Sequence, residues 1–397
     1  MKELNSKIFL ATLIVSTIGI TFISYWTYIS NYDFAIPRKS LSDTDKSTQN
    51  HSNISVQNKP QKIATLILYW GYPWNDKSSG SPEGAKIGIC DTTYNRNRIA
   101  EADAIVFHYT TIHTRDLPWK HYRNPNQLFV WWSAEGPAIL RLEKVNMEGF
   151  DGFFNWTWTY RRDADVARNY GYRGDVIKGI EKGMKAVDEL LASKTDIAVW
   201  IVSRCDYTHG ARLRMNYMKE LQGAGLNFTG YGKCFGRALP RGNPYLYETI
   251  KSYKFYLAFE NALHCTDYIT EKFWNNGLKN DAVPVVWGPK KEDLLRVAPL
   301  DSFIFVEDFK SPKDLAEYLL YLDKNDTEYR KYFRWREDVS MTDEKMIKLT
   351  KERYPGLDVQ MPLETLCRKI LKNNKRKIIS SLKKEFWDQN SEECLTP

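Results

Sequence analysis

Among the 397 residues, no two of the six cysteines (Cys90, Cys205, Cys234, Cys265, Cys367 and Cys394) stand in a CxxC pair, the spacing a structural zinc site commonly uses. Nor is there an arginine-rich arm or a recognition-helix pattern to accompany the net charge of +8, the excess of 57 basic over 49 acidic residues. Nucleic acid is therefore not the expected partner; an anionic small ligand or a membrane face accounts for the charge as well. The third absence is of charge between Ile8 and Ile29, a mostly apolar run that suffices to span a bilayer, which takes about 20 residues. Lys2 and Lys7 precede it, no small-residue cleavage site follows, and Tyr25, Trp26 and Tyr28 take an interface position. A removable signal peptide is the competing reading. The length and flanks instead predict a cytoplasmic tail over 1–7, a signal-anchor over 8–29 and a lumenal body.

Lumenal placement makes other features coherent. Six cysteines could close three disulfides in an oxidising compartment, their connectivity left open. Glycosylation sequons begin at Asn50, Asn53, Asn155, Asn227 and Asn325, which supports the location although sequons also arise by chance. Residues 30–61 lack a periodic apolar face and are rich in Ser, Asn, Asp, Lys and Gln, the composition of a flexible stem. Beyond it the chain, 43% hydrophobic and 14% aromatic overall, is long enough for two cores.

The most informative stretch is Lys254 to Pro289. Phe255–Phe259 reads as a buried strand that stops at Glu260-Asn261; Ile269–Leu278 reads as a helix, and Ala282–Trp287 as a second strand closed by Gly288-Pro289. In open α/β sheets ligands bind at the carboxyl ends of strands, beside helix N-termini that favour anions. Asn261, Tyr268, Glu271 and Lys272 fall on that rim. Glu271-Lys272 alone would be ordinary solvated surface. Together the four supply a ring for stacking, a carboxylate for ribose hydroxyls and a cation for phosphate, the needs of a nucleotide-sugar diphosphate.

The first strand lies in IATLILYW, from near Lys62, and Ala104–His108, Leu128–Trp132 and Gly152–Trp156 are further short buried runs of a first α/β domain. Trp74 and Asp76 follow the first strand in an aromatic, polar loop of a kind that can floor a carbohydrate site, though Trp is equally often core. Glu135, just after a buried strand and among aromatics, could have a raised pKa and act as a general base; a loop Glu capping a helix is the plainer alternative. Asp163 and Asp165 form a DxD that could coordinate a divalent ion, but Arg161 and Arg162 could pair with both carboxylates and neutralise them. Gly179–Ser193 has helical periodicity and bridges the halves, and Asp196–Ser203 opens the second domain as a strand. Ser302–Val306 is another strand, and Ser311, Pro312 and Asp314 mark a helix start. Residues 363–394 read as a basic helical tail with a solvated face, or one in contact with a membrane surface.

FYLAFEN, DYITEK and VPVVWGP, with FNWTWTYRRDADVARNYG upstream, closely resemble the signature of the α1,3-fucosyltransferases, which move fucose from GDP-fucose to glycan acceptors. The resemblance implies a GT-B fold of two Rossmann-like domains facing a cleft, over 62–185 for the acceptor and 186–350 for the donor, with a helical tail over 351–397. It implies Glu135 as base, acceptor contacts near Trp74 and Asp76, and a donor site of Tyr170, Ser203, Arg214, Tyr256, Asn261, Tyr268, Glu271 and Lys272. It also implies no metal or other cofactor, an inverting transfer from GDP-β-L-fucose to a GlcNAc 3-hydroxyl of a glycoprotein or glycolipid glycan, and residence in the Golgi membrane. Three departures stand out. Gly136 replaces a Ser, Arg204 replaces an Asn, and three extra residues precede Arg214, leaving Arg212 as its rival for the diphosphate. A metal-dependent glycosyltransferase using Asp163 and Asp165, and a non-enzymatic membrane-anchored glycan-binding module, remain the alternatives.

Overall fold

Strands buried on both faces need a covering layer on each side, and their sequences read as continuous apolar runs rather than alternating ones. TLILY, AIVFH, LFVWWS and VPVVW are such runs, and in a computed structural model of the chain each is a strand. The structure describes residues 65–113, 124–237, 245–337, 343–354, 362–372, 377–387, 390 and 392–396. The anchor at 8–29 and the stem at 30–61 lie outside the described residues. No helix among the described residues is long and apolar enough to cross a membrane.

Two sheets form within one compact unit. The first contains β1 (Thr65–Tyr69), β2 (Lys86–Ile87), β3 (Cys90–Thr93), β4 (Ala104–His108), β5 (Leu128–Ser133), β6 (Trp156–Thr159) and β7 (Val166–Ala167), in the order β2-β3-β1-β4-β5-β6-β7. All neighbours are parallel except the β2–β3 pair. The second contains β8 (Asp196–Ile201), β9 (Thr229–Tyr231), β10 (Tyr253–Phe259), β11 (Val283–Trp287) and β12 (Ile304–Phe305), all parallel in the order β12-β11-β10-β8-β9. The helix Arg173–Ala192 joins the two halves. Two parallel α/β sheets are what the sequence predicts.

Period-two alternation sorts each strand between two cores. On β5, Phe129 and Trp131 face one cluster while Leu128, Val130 and Trp132 face the other. On β10, Phe255, Leu257 and Phe259 meet the helices His209–Gly223 and Pro312–Asp323, whereas Tyr256 and Ala258 meet Arg173–Ala192. Ser311 caps its helix as expected, its side chain accepting from the Asp314 N–H with Pro312 in the first turn.

Three expectations need correction. The run Gly152–Trp156 is buried but begins as a turn, with Gly152 at φ 71°; Phe153 and Phe154 fill the core from that turn and β6 starts only at Trp156. Ile269–Leu278 is not a regular α-helix. Lys272–Gly277 adopts the wider π geometry and Leu278–Asn280 a tight 3₁₀ turn, a pattern frequent at functional sites. Finally, the tail is not a solvated helix. Ile379, Leu382 and Phe386 enter one core of the first sheet, Leu366 and Cys367 the other.

Backbone bonds join Gly152 N–H to Ile379 O and Ile379 N–H to Phe154 O, each at 2.9 Å. All six cysteines pair, as Cys90–Cys367, Cys205–Cys234 and Cys265–Cys394, so two of the three bridges fasten the tail. The Asn155 sequon is structural, because its carboxamide accepts from Phe129 N–H and donates to Lys377 O inside the fold.

Candidate functional site

The carboxyl ends of β5, β6, β8 and β10 carry the groups that matter, and local chemistry fixes each. After β5, the Ser133 hydroxyl donates to Glu135 O at 3.1 Å and accepts from Glu135 N–H at 3.2 Å. This tight turn, followed by Pro137 in the first turn of the helix Pro137–Leu142, presents the Glu135 carboxylate on the rim. Tyr268 donates its hydroxyl to Glu135 Oε2 at 3.3 Å, and Arg204 Nη2 lies 3.3 Å from Oε1. Burial pushes the Glu135 carboxyl above the ordinary value, opposed by Arg204 and Lys272.

After β10, Glu260 is buried at 2% exposure and accepts from Thr270 N–H and the Thr270 hydroxyl at 2.9 and 2.7 Å. Lys272 Nζ reaches Thr270 Oγ1 at 2.8 Å, Glu260 at 2.9 Å and Glu271 at 3.1 Å, which engages all three of its donors. Burial works against the Lys272 charge, yet the two carboxylates hold its pKa above the usual lysine value. Glu271 is likewise opposed by burial but held low by Lys272. Gly210, beside the helix start, is required by close approach: a Cβ there would stand 2.8 Å from Asn261 O.

One turn along that helix, Arg214 is buried and donates to Phe259 O at 2.8 Å and Arg204 O at 2.7 Å. Burial brings its pKa down to about 10, so it stays a cation at neutral pH. Its rival Arg212 is exposed and donates to Asp206 O. The rim also gathers buried polar atoms with no hydrogen-bond partner among the described residues: Arg204 Nη1, Arg214 Nε and Asn261 Oδ1. Others of the kind occur elsewhere in the fold, but these three lie together and offer two donors and an acceptor to a polar ligand.

Both parts of the chain match family models, residues 62–171 the fucosyltransferase N-terminal model and residues 191–385 the glycosyltransferase family 10 (fucosyltransferase) C-terminal model. A 4-galactosyl-N-acetylglucosaminide 3-alpha-L-fucosyltransferase of Pan troglodytes is 40% identical over 286 residues, 70% of this chain and 74% of its own. The chain belongs to glycosyltransferase family 10, the fucosyltransferases. Another 3-alpha-L-fucosyltransferase, of Gorilla gorilla gorilla, is 37% identical over 81% of this chain and 83% of its own. A 3-galactosyl-N-acetylglucosaminide 4-alpha-L-fucosyltransferase of Pongo pygmaeus is 36% identical over 82% and 85%. A crystal structure of an alpha1,3-fucosyltransferase with GDP-fucose aligns over 82% of this chain and 95% of its own at 16% identity and TM-score 0.49.

In this fucosyltransferase, Glu135, Tyr268, Glu271 and Lys272 come together, with Tyr170 close by and donating its hydroxyl to Ala134 O at 2.8 Å. Arg214 and Asn261 line the adjoining rim. Ser203 is exposed there, its hydroxyl accepting from Lys233 N–H at 3.4 Å. Tyr256 sits behind the rim rather than on it, wholly buried in β10 with its hydroxyl accepting from Asn276.

Trp74 and Asp76 occupy the loop after β1. Trp74 is 45% exposed, its ring 4.8 Å from that of His108, and both Trp74 and Asn75 hold positive φ, backbone strain of the kind that collects at ligand sites. Asp76 caps the next turn through Ser78 N–H at 2.9 Å.

The expected pairing of both arginines with the DxD is half right. Arg161 binds Asp163, but Arg162 crosses to Asp267 and Asp293 of the second half, while Asp165 accepts from Thr157 N–H and pairs with Lys377. The sequence alone assigned no part in the site to Glu260, visible only as the first polar residue after a strand.

Proposed function

We propose that this protein catalyses inverting transfer of L-fucose from GDP-β-L-fucose to the 3-hydroxyl of a GlcNAc in a glycan acceptor. One observation carries the reading. A half-buried carboxylate on the first sheet's rim stands within 3.3 Å of Arg204 and Tyr268 of the second half, beside Lys272, Arg214 and polar atoms without a partner among the described residues. Glu135 takes the acceptor hydroxyl proton as the acceptor oxygen attacks C1 of fucose. The C1–O bond to phosphate breaks and its electron pair leaves with GDP. Negative charge then grows on the diphosphate, where Lys272 and Arg214 stabilise it more in the transition state than in the ground state. Glu271, 44% exposed on its side chain, exchanges its Lys272 contact for donor ribose hydroxyls, freeing one ammonium N–H for phosphate. Trp74 offers an apolar face to the acceptor sugar.

No divalent ion is assigned a role. The DxD carboxylates fit one poorly, because Arg161 and Lys377 already neutralise them. The three disulfides support an oxidising, lumenal setting, and we place the body in the Golgi lumen, held by the anchor at 8–29.

The deciding experiment incubates the purified body with GDP-fucose and two acceptors, N-acetyllactosamine and an N-glycan core, reading GDP release and product linkage by NMR. An α1,3-linked fucose on either is expected. No GDP release with either acceptor would leave a glycan-binding module as the better account.

A further inference from the structure

The loop after β8 reaches the other half at two points. Arg204 Nη2 stands 3.3 Å from Glu135 Oε1, and Tyr207 donates its hydroxyl to Glu143 Oε1 at 3.3 Å. Glu135 and Glu143 flank the first helix after β5. The backbone carrying Arg204 is held from two sides. Arg214 donates to its carbonyl at 2.7 Å, and the next residue, Cys205, is bridged to Cys234. The Arg204 guanidinium lies 5.2 Å from the Tyr207 ring centre, and its Nη1 is buried with no partner among the described residues. A flexible surface arginine paired by chance would show none of these restraints.

We infer that Arg204 is a positioning residue for the base: it reaches from the second half of the chain to the first and fixes the Glu135 carboxylate. Its unpartnered Nη1 is left to the transferring groups. The inference rests on the reading of Glu135 as base.

The charge balance at Glu135 explains why such a cation is needed. Burial favours the neutral carboxyl, which cannot take a proton. Lys272 helps, but Glu271 beside it works in the opposite direction. Tyr268 donates a hydrogen bond to the carboxylate, and Tyr109, Tyr160, Tyr170 and Tyr207 face it from the surrounding loops with raised pKa values, hence as neutral phenols. Arg204 is thus the nearest full positive charge.

The test is the pH dependence of kcat and the KM for GDP-fucose in the wild type, Arg204→Gln and Arg204→Lys. With Arg204 neutral, the base ionises less readily, so the acidic limb of kcat should move up by about one pH unit, the lower end of what a neighbouring opposite charge does. KM for GDP-fucose should stay within about twofold, and Arg204→Lys should restore most of the shift. An unmoved acidic limb, or a loss confined to KM, overturns the inference and assigns the cation to the phosphates. If Arg204→Gln does not fold, Arg204→Met takes its place and is read by the same two outcomes, with Arg204→Lys kept as the charge-retaining control. Glu135→Gln run alongside separates the two ideas, because normal turnover there removes the base itself rather than its partner.

Discussion

At the scale of single residues, the proposed reaction gives two side chains different duties. Glu135→Gln keeps the shape of the rim and the Tyr268 neighbour but cannot accept a proton. Turnover should fall about 100-fold, a common general-base contribution, while GDP affinity by calorimetry stays unchanged; near-normal turnover would remove Glu135 from the chemistry. In the wild type the acidic limb should sit above the ordinary glutamate value of about 4.3, since burial raises this carboxyl and only its ionised form acts. Lys272→Ala should act on binding instead. It leaves Glu260, 2% exposed on its side chain, as a buried carboxylate without its ammonium, a loss of about 3 kcal/mol, and GDP affinity should drop at least about tenfold with it. Unchanged affinity in a folded variant would refute the assignment. Glu135 was legible because it comes just after a buried strand, and Lys272 because it stands in DYITEK, a run that resembles the fucosyltransferase signature. The destination of Arg204 was not, since which side chain a cation meets across a cleft depends on how two sheets face each other, and no local spacing records that.

At the scale of elements, strands were easier to read than the segments around them. Parallel strands such as β4 and β5 are buried on both faces and announce themselves as apolar runs of the right length. The Gly152–Trp156 run has the same composition, but Gly152 turns the chain first. The tail misled for a related reason. Its lysines dominate the composition, whereas the few apolar side chains, Leu366, Ile379, Leu382 and Phe386, determine where it packs. Its final turn is fastened by Cys265–Cys394, across 129 residues, and by His264, whose ring nitrogens reach Glu393 and Glu307 at 2.6 and 2.8 Å. Replacing both Cys265 and Cys394 by Ser should lower stability by about 3 kcal/mol in urea unfolding. GDP affinity should fall as well, because Cys265 lies in the loop between Asn261 and Tyr268. An unaltered midpoint would mean that packing alone holds the tail.

At the scale of the molecule, the question is where the charge on departing GDP goes. A metal-dependent enzyme of similar outline would bring a divalent ion on its DxD. Here Asp163 and Asp165 are spent on Arg161 and Lys377, and Arg162 binds the halves together through Asp267 and Asp293. Freeing those carboxylates for a metal would break the Lys377 contact that helps hold the tail on the first sheet. In the proposed reaction the cations are Lys272 and Arg214, both held by the protein before any ligand arrives, so that only the Glu271 contact of Lys272 has to be exchanged as charge develops. Transfer rates in excess EDTA should therefore equal those in buffer within error, and Asp163→Asn should cost stability rather than kcat. Abolished transfer in EDTA, restored by Mn²⁺ or Mg²⁺, would return the DxD to the centre of the mechanism and leave Lys272 and Arg214 as structural cations.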